Sequence, residues 1–280
     1  MNDQSFGQLK SLASRLFQSL DKESLGSIPQ DYIIRALQRS GIDSKNPRIK
    51  NLIQNIQKLK NPEKITCSEF VPLVQDEIIF LKKILQGNLI IPDFETFCKE
   101  VDEIFSKTKE NTSGNVANYI PQLGRVDPEK YAISICTIDG QQYNLGDFKD
   151  NFCVQSSSKP FSYCMALEEF GTDEVHHHVG REPSGKGFNE LTLNEKGLPH
   201  NPMINSGAIM TCSMIKPKLN IADRFDYVLE TWKKLSGGSY IGFNNAVYLS
   251  EKQTADRNFA LGYFMRENQA FPKKTNLLET

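Results

Sequence analysis

Apolar residues recur at helical spacing through the first hundred positions. Leu9, Leu12, Leu16 and Leu20 fall on one face of a helix. The same segment carries Lys10, Arg15 and several serines, a faint likeness to a transit peptide, but the leucine spacing favours a packed helix. Pro29 stands at a helix start, Tyr32, Ile33, Ala36 and Leu37 form a stripe, and Gly41 closes it. Asn46-Pro47 reads as an N-cap followed by a first-turn proline, with Ile49, Leu52, Ile53 and Ile56 on the buried side. Thr66 and Glu69 suit a capping box, in which each satisfies the other's orphan N–H. Pro72 lies deep enough to kink or restart its helix, and Gly87 ends the stretch. A further helix follows Pro92, with Phe94, Phe97, Val101 and Phe105 facing inward. Residues 1–108 therefore read as an all-helical module.

Between Lys107 and Lys130 the pattern breaks: Asn111, Ser113, Gly114, Asn115, Pro121, Gly124 and Pro128 mark irregular chain. Tyr131 to Ile138 then alternates, and Asp139-Gly140 before Gln141-Gln142-Tyr143 signals a hairpin. Short helices and long loops follow. The clearest late helix runs from about Ile221 to Leu235, with Phe225, Val228, Leu229 and Trp232 on one face. The chain has no solenoid repeat and no low-complexity tract.

Composition narrows the function classes. The 280 residues, 39% hydrophobic, can bury a sizeable core. Lys plus Arg (33) nearly cancels Asp plus Glu (34), so no strong field favours nucleic acid or an anionic membrane. Apolar runs such as Ile78 to Leu81 are broken by charge too soon to span a bilayer. Six cysteines without a C-x-x-C pair read as buried free thiols in a reducing compartment.

Two stretches invite a metal and fit one poorly. Asp21 to Tyr32 lies where an EF-hand loop would, with Gly26 and Ile28 in place. Its fifth position is Leu25 and its twelfth Tyr32, neither able to ligate calcium, so the shape is expected without the ion. His176-His177-His178 points its three rings about 100° apart on a helix, too divergent to share one ion. Gly185-Lys186-Gly187 lacks the spacing of a phosphate loop.

Gln155-Ser156-Ser157-Ser158-Lys159-Pro160 is the most informative run. Pro160 is tolerated only in a first turn, so a helix must begin near Ser156 and continue toward Gly171. Lys159 then lies one turn beyond Ser156 on the same face. A desolvated, neutral lysine can take the serine proton, and N–H groups at a helix start can hold an oxyanion. Alone, S-x-x-K is common by chance, and a serine cap before a surface lysine is the plain alternative. Here it follows a hairpin and the apolar Phe152-Cys153-Val154, as in serine hydrolases of the β-lactamase-like fold.

Longer runs carry a specific resemblance. Asn118 to Leu123 (NYIPQL), Val154-Gln155-Ser156 with Lys159-Pro160, Gly180 to Gly185 (GREPSG), Pro199 to Ile209 (PHNPMINSGAI) and Asp256 to Ala260 (DRNFA) resemble the serine-dependent glutaminases. The helical N-terminal part resembles the degenerate EF-hand-type module of the animal kidney- and liver-type members. The resemblance implies an α+β protein: residues 1–108 an EF-hand-like module without calcium, and 109–280 the N-terminal part of a β-lactamase-like catalytic domain. It implies hydrolysis of L-glutamine to L-glutamate and ammonia, with Ser156 as nucleophile, Lys159 as base and Tyr119 beside them. Substrate binding falls to Ser156, Asn205, Glu251, Asn258, Tyr119 and Gln155: a carboxylate answers an α-ammonium, and amides donate to an α-carboxylate. Gly185 to Glu195, with Phe188, Leu191 and Leu193, matches a regulatory loop. No metal or organic cofactor is expected. A homotetramer, phosphate activation and a mitochondrial location (cytoplasmic as the alternative) follow from likeness alone.

The resemblance also implies a C-terminally truncated chain, because further substrate-contacting tyrosines and a lysine-serine-glycine strand are expected beyond Thr280. Lys274-Thr275-Asn276 lacks the glycine of that strand. The hairpin at 131–143 is then expected to leave a sheet edge and an apolar face open. Competing readings are a catalytically inactive member that joins and modulates full-length subunits, and a penicillin-binding or β-lactamase-type acyl enzyme, disfavoured by the missing K-[ST]-G.

Overall fold

The computed structural model of the protein describes residues 3–59, 64–273 and 275–277. Lys274 thus lies outside the described residues. The chain forms two compact units, Met1–Gly114 with Pro128–Asp150, and Asn115–Asp127 with Asn151–Thr280.

The first unit holds α1 (Asp3–Leu20), β1 (Ser27–Ile28), α2 (Gln30–Arg39), α3 (Lys50–Gln57), β2 (Ile65–Thr66), α4 (Cys67–Val74), α5 (Ile78–Leu85) and α6 (Phe94–Lys109). A hairpin of β3 (Ala132–Cys136) and β4 (Gln142–Gly146) completes it. Its core collects Ala13, Leu16 and Phe17 from α1 with Ile33, Leu52, Ile56, Phe70, Ile78 and Leu81, and Leu9, Leu12 and Leu20 pack against them. Antiparallel pairing of β1 with β2 ties two helix–loop–helix pairs together. The loop after α1 is held by its own carboxylate: Asp21 accepts the N–H groups of Leu25 and Gly26, both at 2.8 Å. Thr66 and Glu69 form the expected capping box, with the Thr66 N–H on Glu69 Oε2 at 2.9 Å. The helix containing Pro72 stops at Val74 and the chain restarts a helix at Ile78.

Two local expectations are corrected. Tyr32 is 43% exposed, so the stripe on α2 narrows to the buried Ile33 and Leu37. Asn46 does not cap α3. Its Oδ1 takes the Arg48 N–H at 3.0 Å in a local turn, and the helix begins at Lys50.

The hairpin closes through a three-residue loop, with Thr137 N–H on Gln141 O at 3.0 Å and Gly140 at φ +88°. Beside it Gln141 is fully buried. Its Nε2 donates to Ser40 O (3.0 Å) and Ile91 O (2.9 Å), and its Oε1 accepts the Ile91 N–H (3.1 Å). Among the described residues β3 and β4 form a two-stranded sheet, and an isolated bridge joins Gln141, just before β4, to Ile42, with the Gln142 N–H on Gly41 O at 2.7 Å.

The second unit holds α7 (Pro121–Gly124), a 3-10 turn (Gln155–Ser158), α8 (Lys159–His176), α9 (Asn205–Met214), α10 (Ile221–Leu235), α11 (Asn245–Gln253) and α12 (Asp256–Glu267). Ala166, Val175, Val179, Met210, Met214, Met265 and Ala270 form its core, where α9 packs against α8 and α12. Gly207 on α9 permits a close approach, since a Cβ there would stand 1.9 Å from Asn201 O. The α10 helix starts and ends where its pattern predicts, but buries no residue fully.

The six cysteines are free but not the buried thiols expected: Cys136 and Cys164 are exposed and the other four half-buried. Among the described residues no helix is long and apolar enough to cross a membrane. The three neighbouring histidines do not converge on one point: His176 meets Tyr163 and Val179 O, while His177 and His178 meet different oxygens of Glu174 and His178 also meets Ala270 O.

Candidate active site

Every sequence-predicted site residue lies in the second unit. The 3-10 turn Gln155–Ser158 runs straight into α8, and Pro160 occupies the first turn of that helix. In 3-10 geometry residues three apart eclipse, so Ser156 and Lys159 leave the backbone on the same side. The Lys159 N–H donates to Ser156 O across this turn. Gln155, immediately before the serine, has φ +43°, a left-handed conformation that costs energy for a side chain with a Cβ.

Three adjacent serines compete for the nucleophile's place, and their hydrogen bonds separate them. Ser157 donates to Val154 O, and Ser158 Oγ donates to Gln155 O at 2.7 Å, so both hydroxyls are bound back into the turn. Ser156 is exposed, and its hydroxyl makes no hydrogen bond among the described residues. It is the one left uncommitted.

Lys159 is half-buried, and burial pushes its amine below the ordinary lysine pKa. No hydrogen bond joins this amine to the Ser156 hydroxyl. Its Nζ donates to Asn205 Oδ1 at 2.7 Å and stands 5.6 Å from the centre of the Phe188 ring. Asn205, the first residue of α9, passes the network on: Nδ2 donates to Asn189 Oδ1 at 3.0 Å and reaches Asn258 Oδ1 at 3.5 Å.

A second cluster joins Tyr119, Gln155 and Glu251. The Tyr119 hydroxyl lies 2.6 Å from Gln155 Oε1 and 3.0 Å from Glu251 Oε1, and Gln155 Nε2 donates to the same Glu251 oxygen at 3.1 Å. Burial and the Glu251 carboxylate push the phenol up to about 12, so it stays protonated. Glu251 Oε2 has no hydrogen-bond partner among the described residues.

In the loop before α9, Phe188 is 65% exposed, Leu191 is exposed and Leu193 packs on the second core. The Phe188 carbonyl accepts the Asn205 N–H at 2.9 Å. Asn189 was not legible in the sequence: a polar residue in a loop carries no periodic signal, and only its contact with Asn205 marks it.

Comparison with known proteins gives these clusters a family. The Glutaminase family profile matches residues 114–280, and an EF-hand domain profile matches residues 12–92. A glutaminase-family protein of Caenorhabditis elegans is 43% identical over 274 residues, covering 95% of this chain and 47% of its own length. The mitochondrial glutaminase liver isoform of Mus musculus is 40% identical over 276 residues, covering 97% of this chain and 46% of its own. A solved structure of Mglu in its tris and glutamate form superposes with a TM-score of 0.58 at 31% identity, over 65% of this chain and 41% of that one. The chain belongs to the glutaminase family, and its fold is an EF-hand-like helical module followed by the α+β glutaminase fold of β-lactamase-like type. It spans about half the length of the curated relatives it matches.

Proposed function

We propose that the second unit carries the hydrolytic site of a glutaminase, with Ser156 as nucleophile and Lys159 as its base. Ser156 Oγ attacks the side-chain amide carbon of L-glutamine while its proton passes to the Lys159 amine. As the tetrahedral intermediate collapses, the same proton goes to the departing nitrogen, leaving as ammonia and a glutamyl ester on Ser156. Water then attacks the ester, Lys159 takes its proton and returns it to Ser156 Oγ, and L-glutamate is released. As written, the reaction calls for no metal or organic cofactor.

The observation that carries this reading is the division of labour in one turn: a single free hydroxyl at Ser156 and a desolvated amine at Lys159. The Asn205 bond supports it further. A neutral amine that donates one hydrogen to Asn205 keeps its lone pair for a serine or water proton. Glu251, with one oxygen held and the other open, is suited to an α-ammonium; Asn205 and Asn258 are suited to an α-carboxylate, and Tyr119 and Gln155 to fixing Glu251. The glutamate form of Mglu agrees with a ligand of this class.

The domain division at residue 108 belongs to the same reading and is supported by the separate profile matches at 12–92 and 114–280, while the compact units differ from it in grouping the hairpin segment Pro128–Asp150 with the first. So do regulation through Phe188, Leu191 and Leu193, a homotetramer, phosphate activation and a mitochondrial location, the last by likeness to the mouse enzyme. A second reading, a non-catalytic chain that joins and modulates full-length subunits, draws on the missing hydrogen bond between the Ser156 hydroxyl and the Lys159 amine. Ammonia release from L-glutamine by the purified chain, abolished in Ser156→Ala, is the expected result. No release from the unaltered chain, together with its association with full-length subunits, favours the second reading.

A further inference from the structure

The dipeptide Phe188-Asn189 touches the lysine network at three points. The Phe188 carbonyl accepts the Asn205 backbone N–H (2.9 Å), the Phe188 ring stands 5.6 Å from Lys159 Nζ, and Asn189 Oδ1 accepts from Asn205 Nδ2 (3.0 Å). The last contact has a chemical consequence. A side-chain amide has an acceptor end and a donor end, and turning it over exchanges them. Only with Oδ1 toward Lys159 can Asn205 accept from the amine; reversed, Nδ2 would face the ammonium as a second donor and would occupy the lone pair of the neutral amine that a base needs. What fixes the orientation is the group that consumes the donor end. Asn258 Oδ1, at 3.5 Å, is too distant to do so strongly, whereas Asn189 is half-buried and within full hydrogen-bonding range.

We propose that Asn189 is a positioning residue for Lys159 that acts through the side-chain amide of Asn205. The role of Lys159 as base rests on the function proposed above; the chain of contacts does not. Asn189 sets which end of Asn205 meets the amine, and so links the conformation of the 185–195 loop to the proton affinity and aim of Lys159. The groups in contact with the amine, Asn205 and Phe188, are neutral, and burial is the sole cause of its lowered pKa. A hydrogen bond from the amine to Oδ1 favours the ammonium form, so losing it lowers the proton affinity further.

The test is a titration of Lys159 in the whole chain labelled with [13Cε]lysine, its resonance assigned by Lys159→Arg. Asn189→Ala is expected to lower the Lys159 midpoint by about half a pH unit or more. In an Asn205→Ala background the same substitution is expected to move nothing, because the link is gone. Asn189→Asp keeps an acceptor for Nδ2 and adds a negative charge that acts through space, so it should raise the midpoint with or without Asn205; if the alanine variant does not fold, the neutral Asn189→Ser takes its place in the comparison. An unchanged midpoint in Asn189→Ala, or an equal shift by that substitution with and without Asn205, overturns the proposal. Because the titration needs no turnover, the two readings fail separately. The expected shifts in a chain that releases no ammonia refute only the glutaminase activity; ammonia release with an unmoved midpoint refutes only the role of Asn189.

Discussion

Lys159 Nζ donates to Asn205 Oδ1 at 2.7 Å, across 46 positions of sequence. The amine opens α8 and the amide opens α9, two helices packed on one core, so the fold itself brings the two side chains together. The hydroxyl of Ser156, one 3-10 turn before the lysine, takes no part in this bond. The amine is thus held and desolvated and the serine hydroxyl is left free, which is what the proposed base and nucleophile require.

The first consequence concerns pH. A protonated Lys159 cannot take the serine proton, so kcat/KM should rise with pH as the lysine deprotonates. Burial lowers its pKa, which puts the midpoint of that rise below the 10.5 of an ordinary lysine. Tyr119, held near 12, stays protonated throughout the rise and adds no limb of its own. Lys159→Arg substitutes a permanent cation; kcat/KM should fall by about 10²- to 10⁴-fold with the ascending limb abolished. A pH–rate profile of both proteins checks this.

Glu251→Gln keeps an oxygen for Tyr119 and removes the charge. If Glu251 receives an α-ammonium, KM for L-glutamine should rise by about tenfold or more, since hydrogen bonds to charged groups contribute about 1.5–3 kcal/mol. The Tyr119 phenol, losing its carboxylate neighbour, should move from about 12 back toward 10. Steady-state kinetics and an ultraviolet tyrosinate titration read the two effects independently.

Stability of the first unit should depend on a residue far from any chemistry. Gln141→Leu matches the volume of the buried side chain but strands Ser40 O and both polar groups of Ile91. Each stranded group costs about 1–3 kcal/mol, so a loss of about 3 kcal/mol or more is expected in denaturant unfolding. A loss under about 1 kcal/mol would show that these groups find water or other partners.

How much of this was readable beforehand varied with the physics involved. The α10 helix was legible because Phe225, Val228, Leu229 and Trp232 share one face and Gly237-Gly238 follows; the Asn220 cap that starts it emerged from the structure. Asn46-Pro47 misled because an asparagine that caps a helix and one that closes a local turn look alike until the neighbouring N–H groups are placed. Gln141 looked like an ordinary polar strand residue, since its partners at Ser40 and Ile91 are 101 and 50 positions away. Of the candidate site residues, Ser156 and Lys159 were legible from the S-x-x-K run and its helix start, whereas Asn205 and Glu251 came from family likeness. The Lys159–Asn205 pairing and the part of Asn189 required coordinates.

The nucleophile–base assignment is tested most directly by trapping its covalent intermediate. Acid quench of the chain during turnover of L-glutamine, followed by peptide mass spectrometry, should find a glutamyl ester on the peptide bearing Ser156. Ser156→Ala should lose both ester and ammonia. Ammonia released without an ester at Ser156, or an ester on another residue, would contradict the assignment.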